Sequence, residues 1–309
     1  MNCSRYWVLA MTLFSQSMAL ATPLPEVSAG SLHRLQDVPF SSIPSRPVDV
    51  WLPEHAQGQQ LAVLYMHDGQ MLFDATTTWN GQEWRVDEVA QQLIDAGKTR
   101  PFMVVAIHNG GPHRHAEYFP QQPFDNLAEA DRQRLFNYQQ QAGVPVEAPY
   151  SDKYLRFLVQ ELKPYIDSHY PVDGGPESTF IMGSSMGGLI SMYALTQYPE
   201  VFGGAACLST HWPGVFEMAD NPLPAALLSY LQQSLPKANS RRLYFDYGDQ
   251  TLDALYPPLQ RQADAIMQAR GWQAPYWLTE FFSGAGHTEQ AWADRLEIPL
   301  QFLLGTIQR

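Results

Sequence analysis

A serine hydroxyl becomes a useful nucleophile only when the chain lifts it clear of the backbone and places a base beside it. The stretch TFIMGSSMGGLI, residues 179–190, has the form of the first requirement. Within it Gly183-Ser184-Ser185-Met186-Gly187 fits G-x-S-x-G, a sharp turn from strand into helix with Ser185 at its apex. Small residues two places before and after the serine let strand and helix approach closely. A histidine must then accept the serine proton, and a carboxylate must hold the imidazole in the right tautomer. Where the order along the chain is serine, acid, histidine, the choice is narrow, because only His211 and His287 follow Ser185. His287 lies in FFSGAGHTEQAW, a flexible turn between an expected strand and an expected helix, where a base would overhang a sheet edge. His211, in LSTHWPG, follows an earlier strand and has only Glu200 between it and the serine, so it reads as a wall of the site. Between serine and His287 runs RRLYFDYGDQTLDALYPP. Asp246 falls inside its strand, while Asp249 and Asp253 both fall in the loop that should carry the acid. The residues alone leave those two open.

Such a site must also bind an oxyanion. One donor is expected from the backbone N–H of Met186, directly after the nucleophile at a helix N-terminus, and a second from the loop after an earlier strand. LYMHDGQMLFD suits that loop, with Gly69 or Gln70 offering the N–H. His67 and Asp68 beside them precede the serine and read as loop-shaping residues. Asp68, Arg114, His211 and Trp212 are the candidates for contact with substrate. Arg114 could hold an anionic group, or be consumed in an ion pair with Glu117 three residues on. His113 and His115 flank it, but two histidines without a nearby carboxylate or thiol make a poor metal site, and no metal is expected.

These loops need a scaffold. Runs rich in β-branched and aromatic residues predict strands near Val48–Leu52, Leu61–Met66, Phe102–Ile107, Thr179–Met182, Gly204–Leu208, Arg242–Tyr247 and Tyr276–Phe281. LAVLYM and FMVVAI are apolar at successive positions, which suits strands covered on both faces of a parallel sheet. Helical stretches are predicted at Glu83–Ala96, Ser151–Ser168, Met186–Gln197, Tyr256–Arg270 and Glu289–Leu304. The alternation predicts an α/β fold with an open, mostly parallel, doubly wound sheet. Phe119–Pro149, polar and proline-flanked with at most a short helix at Leu127–Gln140, reads as an inserted loop or lid. Its aromatics Phe119, Phe124, Phe136 and Tyr138 could wall an acyl pocket or pin the insertion down.

The 309 residues, 45% hydrophobic and 16% charged, suit a globular chain. MNCSRYWVLAMTLFSQSMALATP opens with Arg5, a short apolar run and Ala19-Leu20-Ala21, the pattern of a signal segment over 1–21. Export is therefore expected, to a periplasm or beyond, leaving 22–309 as one catalytic domain. Ser15, Gln16 and Ser17 cut the apolar run well short of the ~20 residues a membrane span needs, so stable membrane insertion is not expected. Removing the segment takes Cys3 and leaves Cys207 alone, a small core residue in GGAACLS. A formal charge of −12 without a basic run speaks against nucleic-acid binding.

HDGQMLFD, IHNGGPHRHAEYFP, YLRFLVQELKPYID, TFIMGSSMGG, YFDYGDQTLDALY and GAGHTEQAWADRL together resemble the "putative esterase" family of α/β hydrolases. Enterochelin and periplasmic siderophore esterases, feruloyl esterases, S-formylglutathione hydrolases and mycolyltransferases belong to that family, and the likeness runs from about Val48 to Leu304. The resemblance implies an α/β-hydrolase fold, a small-molecule ester as substrate, Ser185 as nucleophile, His287 as base and no cofactor. It places the acid late in its loop, which favours Asp253 over Asp249, although a serine–histidine pair without a firm acid also occurs among such enzymes. The family pattern has an Asp-Asn pair where this chain has His108-Asn109. Acyl transfer to a sugar or lipid would use the same acyl-enzyme as hydrolysis, and a non-catalytic secreted binding protein would keep the fold alone.

Overall fold

The computed structural model describes residues 23–55, 58–216 and 218–305; the expected signal segment lies outside them. Eight strands form one sheet: β1 (Ser31–Arg34), β2 (Val48–Leu52), β3 (Ala62–His67), β4 (Phe102–Ile107), β5 (Thr179–Ser184), β6 (Gly204–Leu208), β7 (Arg242–Tyr247) and β8 (Trp277–Phe281). Their spatial order is β1-β2-β4-β3-β5-β6-β7-β8. The first two pairings, β1 with β2 and β2 with β4, are antiparallel, and the other five are parallel. Every residue of β3, β4, β5 and β6 is buried, which explains their unbroken apolar sequences. Odd positions such as Val63, Tyr65, Ile181 and Cys207 pack with Leu155, Leu158 and Met192 on one face. Even positions such as Leu64, Met66, Phe180 and Met182 pack with Leu93, Leu300 and Leu303 on the other.

The chain leaves β3 for β4 on one side and later returns to β5 on the other, so the winding reverses at β3. Loops leaving neighbouring strands diverge there and open a crevice at the carboxyl edge. Met66 pairs with Met182, so the loop after His67 and the turn after Ser184 emerge side by side at that point.

Departures from the predicted elements have local causes. β1 is a four-residue edge strand, too short for a periodic signal, and the helix Leu223–Ser234 was hidden by prolines at its start. The expected helix over Ser151–Ser168 is one run to His169 that widens to π geometry at Phe157–Leu162, directly before Pro164. A proline cannot donate to the carbonyl four residues back, and the wider turn relieves that clash. The expected C-terminal helix is two helices, Glu289–Ala293 and Glu297–Leu304. Pro299 fits only the first turn of a helix, so the second one starts afresh. Arg295, in the break between them, turns inward and is 4% exposed. The polar stretch 119–149 carries helices Gln121–Asp125 and Glu129–Gln141. Phe119, Phe124 and Leu135 of this stretch are buried.

Candidate active site

Ser185 sits between β5 and the helix Met186–Gln197 at φ 58°, ψ −121°. Such a backbone is strained for a residue with a Cβ and persists because its surroundings over-determine it. Ser185 N–H donates to Leu208 O at 2.9 Å, and its carbonyl accepts from His211 N–H at 3.2 Å. A Cβ on Gly183 would come within 2.9 Å of Gly187 backbone, so the strand and helix flanking the turn touch. Ser185 is 9% exposed and its neighbour Ser184 ends β5.

Asp253 and His287 meet from two different loops. His287 Nδ1 lies 2.6 Å from Asp253 Oδ1. The other carboxylate oxygen accepts from Ser209 Oγ at 2.6 Å and from Gly248 N–H at 2.7 Å. Burial alone would raise this carboxyl; the bonds from His287 and Ser209 outweigh it and hold the group below the ordinary aspartate range. His287 N–H donates to Thr251 Oγ1 at 2.8 Å, fixing the loop from below. Asp249 instead accepts from Gly284 N–H at 2.8 Å and braces the turn that carries His287 without touching the imidazole. Ser209 also accepts from Trp292 Nε1 at 3.0 Å and Arg295 Nη2 at 2.8 Å, and Arg295 pairs with buried Asp246 at 2.7 Å. This second layer was not anticipated. Ser209 at φ 42° gave no signal in its sequence context, and Arg295 looked like one more cation on a helix.

Among the described residues no hydrogen bond joins Ser185 to His287; unliganded sites often hold this contact long until substrate arrives. Tyr256 lies beside both. Its buried hydroxyl interacts with the Ser185 side chain and lies 2.8 Å from His211 Nδ1, and its ring meets His287 edge-on at 5.7 Å. His211 is driven down to a pKa of about 3, first by burial and then by the nearby His287, His115 and Arg114. It is neutral at ordinary pH.

Met186 is the first residue of its helix, so its N–H has no acceptor inside the helix. Gly69 and Gln70 lie in the short turn Gly69–Met71, which follows Asp68 at φ 55°. A Cβ on Gly69 would fall 2.6 Å from Ala106 C, so only glycine lets this turn settle onto β4. A Cβ on Gly187 would sit 3.4 Å from His67 Cβ, which brings the turn against the start of the serine's helix. Arg114 is paired with Asp68, Nε to Oδ1 at 2.7 Å and Nη2 to Oδ2 at 2.8 Å, while Asn109 adds a third bond to Oδ1 at 2.7 Å. Glu117 is not its partner: that carboxylate is held by Arg46 at 2.5 and 2.6 Å. His113 pairs with Glu147 at 3.0 Å and His115 with Gly214 O at 2.9 Å. No group of three or more candidate ligands capable of holding a metal occurs among the described residues.

A cavity of about 380 Å³ opens over Ser185 and Met186, lined by Arg114, His115, Tyr138, Val144, His211 and Phe216 among others. Tyr138 is the insertion aromatic on this wall; Phe119 and Phe124 face a small void beside Leu135 and Leu223. Trp212, expected at the substrate, is displaced from that role. It is wholly buried, donates to Gln260 Oε1 at 2.8 Å and packs on Phe245, because the turn after His211 folds it into the core.

The family model described as "Putative esterase" matches residues 44–300. The chain belongs to that family. Its fold is the α/β-hydrolase fold of solved esterases. A ferulic acid esterase superposes with TM-score 0.62 at 20% identity, covering 89% of this chain and 98% of that one. The enterobactin esterase of Shigella flexneri gives 0.63 at 18%, covering 92% of this chain but 60% of that protein. The ferulic acid esterase of Anaeromyces mucronatus gives 0.61 at 15%, covering 89% and 91%. Among curated proteins, the uncharacterized protein YbbA of Bacillus subtilis is 37% identical over 60 residues, 19% of this chain and 24% of that protein. This chain therefore spans about a quarter of that relative. No helix among the described residues is long and apolar enough to cross a membrane.

Proposed function

We propose that this esterase-family protein hydrolyses a carboxylic ester through an acyl-enzyme on Ser185. The observation that carries the reading is the 2.6 Å bond between His287 and Asp253, beside a strained serine at a helix N-terminus under an open cavity. Ser185 Oγ attacks the ester carbonyl as its proton passes to His287 Nε2. Asp253 holds the Nδ1–H tautomer and stabilises the imidazolium. The carbonyl oxygen takes the negative charge and is held by Met186 N–H and the N–H of Gln70 or Gly69. Collapse expels the alcohol, which leaves with the proton from His287. Water then repeats the sequence, giving the acid and free Ser185.

The cavity supports an ester with an aromatic or compact apolar group, since Pro112, Tyr138, Val144, Val215 and Phe216 outnumber the charged residues of its wall. Ferulic acid esters and the catechol-bearing enterobactin, named for the structural neighbours, are the compounds to try first. The Arg114 guanidinium, neutralised by Asp68, serves to brace the oxyanion loop and presents its remaining edge to the cavity. Residues 119–149 supply one wall, and export follows the signal pattern at 1–21.

The test is Ser185→Ala with a panel of trilactone siderophores, feruloylated sugars, acetylated sugars and short aryl esters. Turnover should fall by several orders of magnitude while circular dichroism stays unchanged. A fluorophosphonate should label Ser185 in the wild type. Labelling at Ser184, or activity surviving in the variant, would remove Ser185 from the role.

A further inference from the structure

Tyr256 has no part in the mechanism just given, yet its hydroxyl is buried at the one point where three reacting or polar groups converge. Its hydroxyl interacts with the Ser185 side chain and lies 2.8 Å from His211 Nδ1, and its ring stands edge-on to His287 at 5.7 Å and to His211 at 5.9 Å. His211 is fixed in turn by its own N–H, which donates to the Ser185 carbonyl at 3.2 Å. A phenol in such a place has two possible polarities. It can accept from Ser185 and donate to His211, parking the nucleophile away from its base. Alternatively it can accept from His211 Nδ1–H and donate to Ser185 Oγ, leaving the serine proton free for His287.

We infer that Tyr256 is a further catalytic residue, its hydroxyl donating to Ser185 Oγ while His211 Nδ1–H donates to the tyrosine oxygen. The inference rests on the acyl-enzyme reading above and adds a donor to Oγ besides those that hold the carbonyl oxygen. The acyl-enzyme reading selects this polarity, because the serine proton must be free for His287. Burial and the nearby Asp253 raise the Tyr256 phenol well above its usual value, so it keeps its proton and can donate to Oγ while its oxygen accepts. His211 is neutral, and its protonated ring nitrogen can supply the donor that orients the phenol.

The donor has its greatest value when Oγ leaves. As the second tetrahedral intermediate collapses, the bond from the acyl carbon to Oγ breaks and the electron pair moves to Oγ. The proton on His287 Nε2 then transfers to Oγ, restoring the serine hydroxyl. Through that step Tyr256 holds the developing charge by a hydrogen bond and transfers no proton itself. With an activated aryl ester the first attack is early and gains little from the donor, so its absence should be felt in deacylation.

The experiment is pre-steady-state hydrolysis of p-nitrophenyl acetate by wild type and Tyr256→Phe, with intact-mass detection of the acyl-enzyme. In the variant, deacylation should slow roughly 10- to 100-fold, at or somewhat below the loss of one oxyanion donor. kcat and KM should fall together, kcat/KM should stay within a fewfold, and acetyl-enzyme should accumulate on Ser185. A merely structural tyrosine would lower kcat/KM and thermal stability without accumulation. Faster turnover in the variant would mean that Tyr256 parks the serine, and unchanged deacylation would mean that it does neither; both overturn the inference. Should Tyr256→Phe fail to fold, His211→Leu carries the test. It removes the donor that orients the phenol and should also accumulate acyl-enzyme, more than His211→Asn, which keeps an N–H near the Nδ1 position. If the wild type itself gives no burst and no adduct on Ser185, the acyl-enzyme reading fails before Tyr256 is tested.

Discussion

Two regions of this molecule bury carboxylates, and they surround them with different groups. On the β7 side, Asp253 accepts from His287, Ser209 and Gly248, and Asp246 accepts from Arg295, Ser209 and Tyr244. Around the start of the helix Val86–Asp95 lie Glu83, Asp87 and Glu88. Each of those three leaves one buried carboxylate oxygen without a partner. Asp87 is held through its second oxygen by Ser28 and Ala29, while its side chain also faces Glu88. Asp253 is pulled below its usual range; Asp87 is pushed up to about 6 and Glu83 to about 7, by burial first and then by neighbouring carboxylates. Burial is common to both regions. At Asp253 donors outweigh it and at Glu83 and Asp87 like charges add to it, while at Asp246 burial still outweighs Arg295 and the other donors and leaves the value raised.

The largest expected effect breaks the donor-rich side at its catalytic end. Asp253→Asn should preserve the fold and lower turnover by up to ~10⁴-fold, because the amide stabilises the wrong imidazole tautomer. Asp249→Asn should stay within about tenfold, since that residue braces the turn at Gly284 and never reaches the imidazole. Steady-state rates with circular dichroism decide between them. The reverse ranking would move the acid to Asp249, and two mild variants would favour a serine–histidine pair.

Next in size is the buried pair behind the acid. Arg295 and Asp246 are 4% and 0% exposed, so removing the cation strands a carboxylate in the interior. Arg295→Met should cost roughly 3–5 kcal/mol of stability, as expected for a broken buried ion pair. Adding Asp246→Asn should recover much of that loss, because the stranded charge is then gone. Chemical denaturation of the single and double variants measures both. A loss below about 1 kcal/mol would mean that the pair is balanced by solvent, and the contrast between the two regions would weaken.

The contrast also explains what could be read from the sequence. The strands were legible because burial on both faces writes itself as unbroken apolar runs, and the turns that carry Ser185 and His287 stood out because they are made of glycine and small residues. Asp253 and Asp249 could not be separated without the resemblance. They stand four residues apart in one loop, and only the turn Thr251–Leu255 decides which one swings inward. Trp212 was misplaced because THWPG looks like a rim loop, whereas Gln260, forty-eight residues on, draws its indole into the core. Arg295, Ser209 and Tyr256 were invisible for the same reason: their partners lie on other elements, and no spacing along the chain records such a meeting. The unpartnered cluster is different again. EWRVDE reads as an ordinary acidic helix start, and its cost appears only when Ser28 and Ala29 cover it.

The smallest effect tests that cluster through pH. Glu83 has a raised folded value of about 7 and Asp87 one of about 6, against ordinary values of 4.5 and 3.8. Between the ordinary and raised values the folded protein binds more protons than the unfolded chain, so stability must fall as pH rises through that window. Asp253 has the opposite sign: its folded value is depressed, so its contribution is lost as pH falls through the acid range. The melting temperature should therefore peak in mildly acidic solution and decline toward pH 8. Glu83→Gln removes one of the charges that ionises at a cost, so it should raise the melting temperature at pH 8 and change little near pH 5. Glu83 is partly exposed, which limits the gain to about 1 kcal/mol or less, or roughly 1–3 °C for a chain of this size. Thermal scans of both proteins at the two pH values read the difference directly. An equal shift at pH 5 and pH 8 would mean that Glu83 acts through packing and not through charge, and the opposition between the two regions would then rest on Asp87 alone.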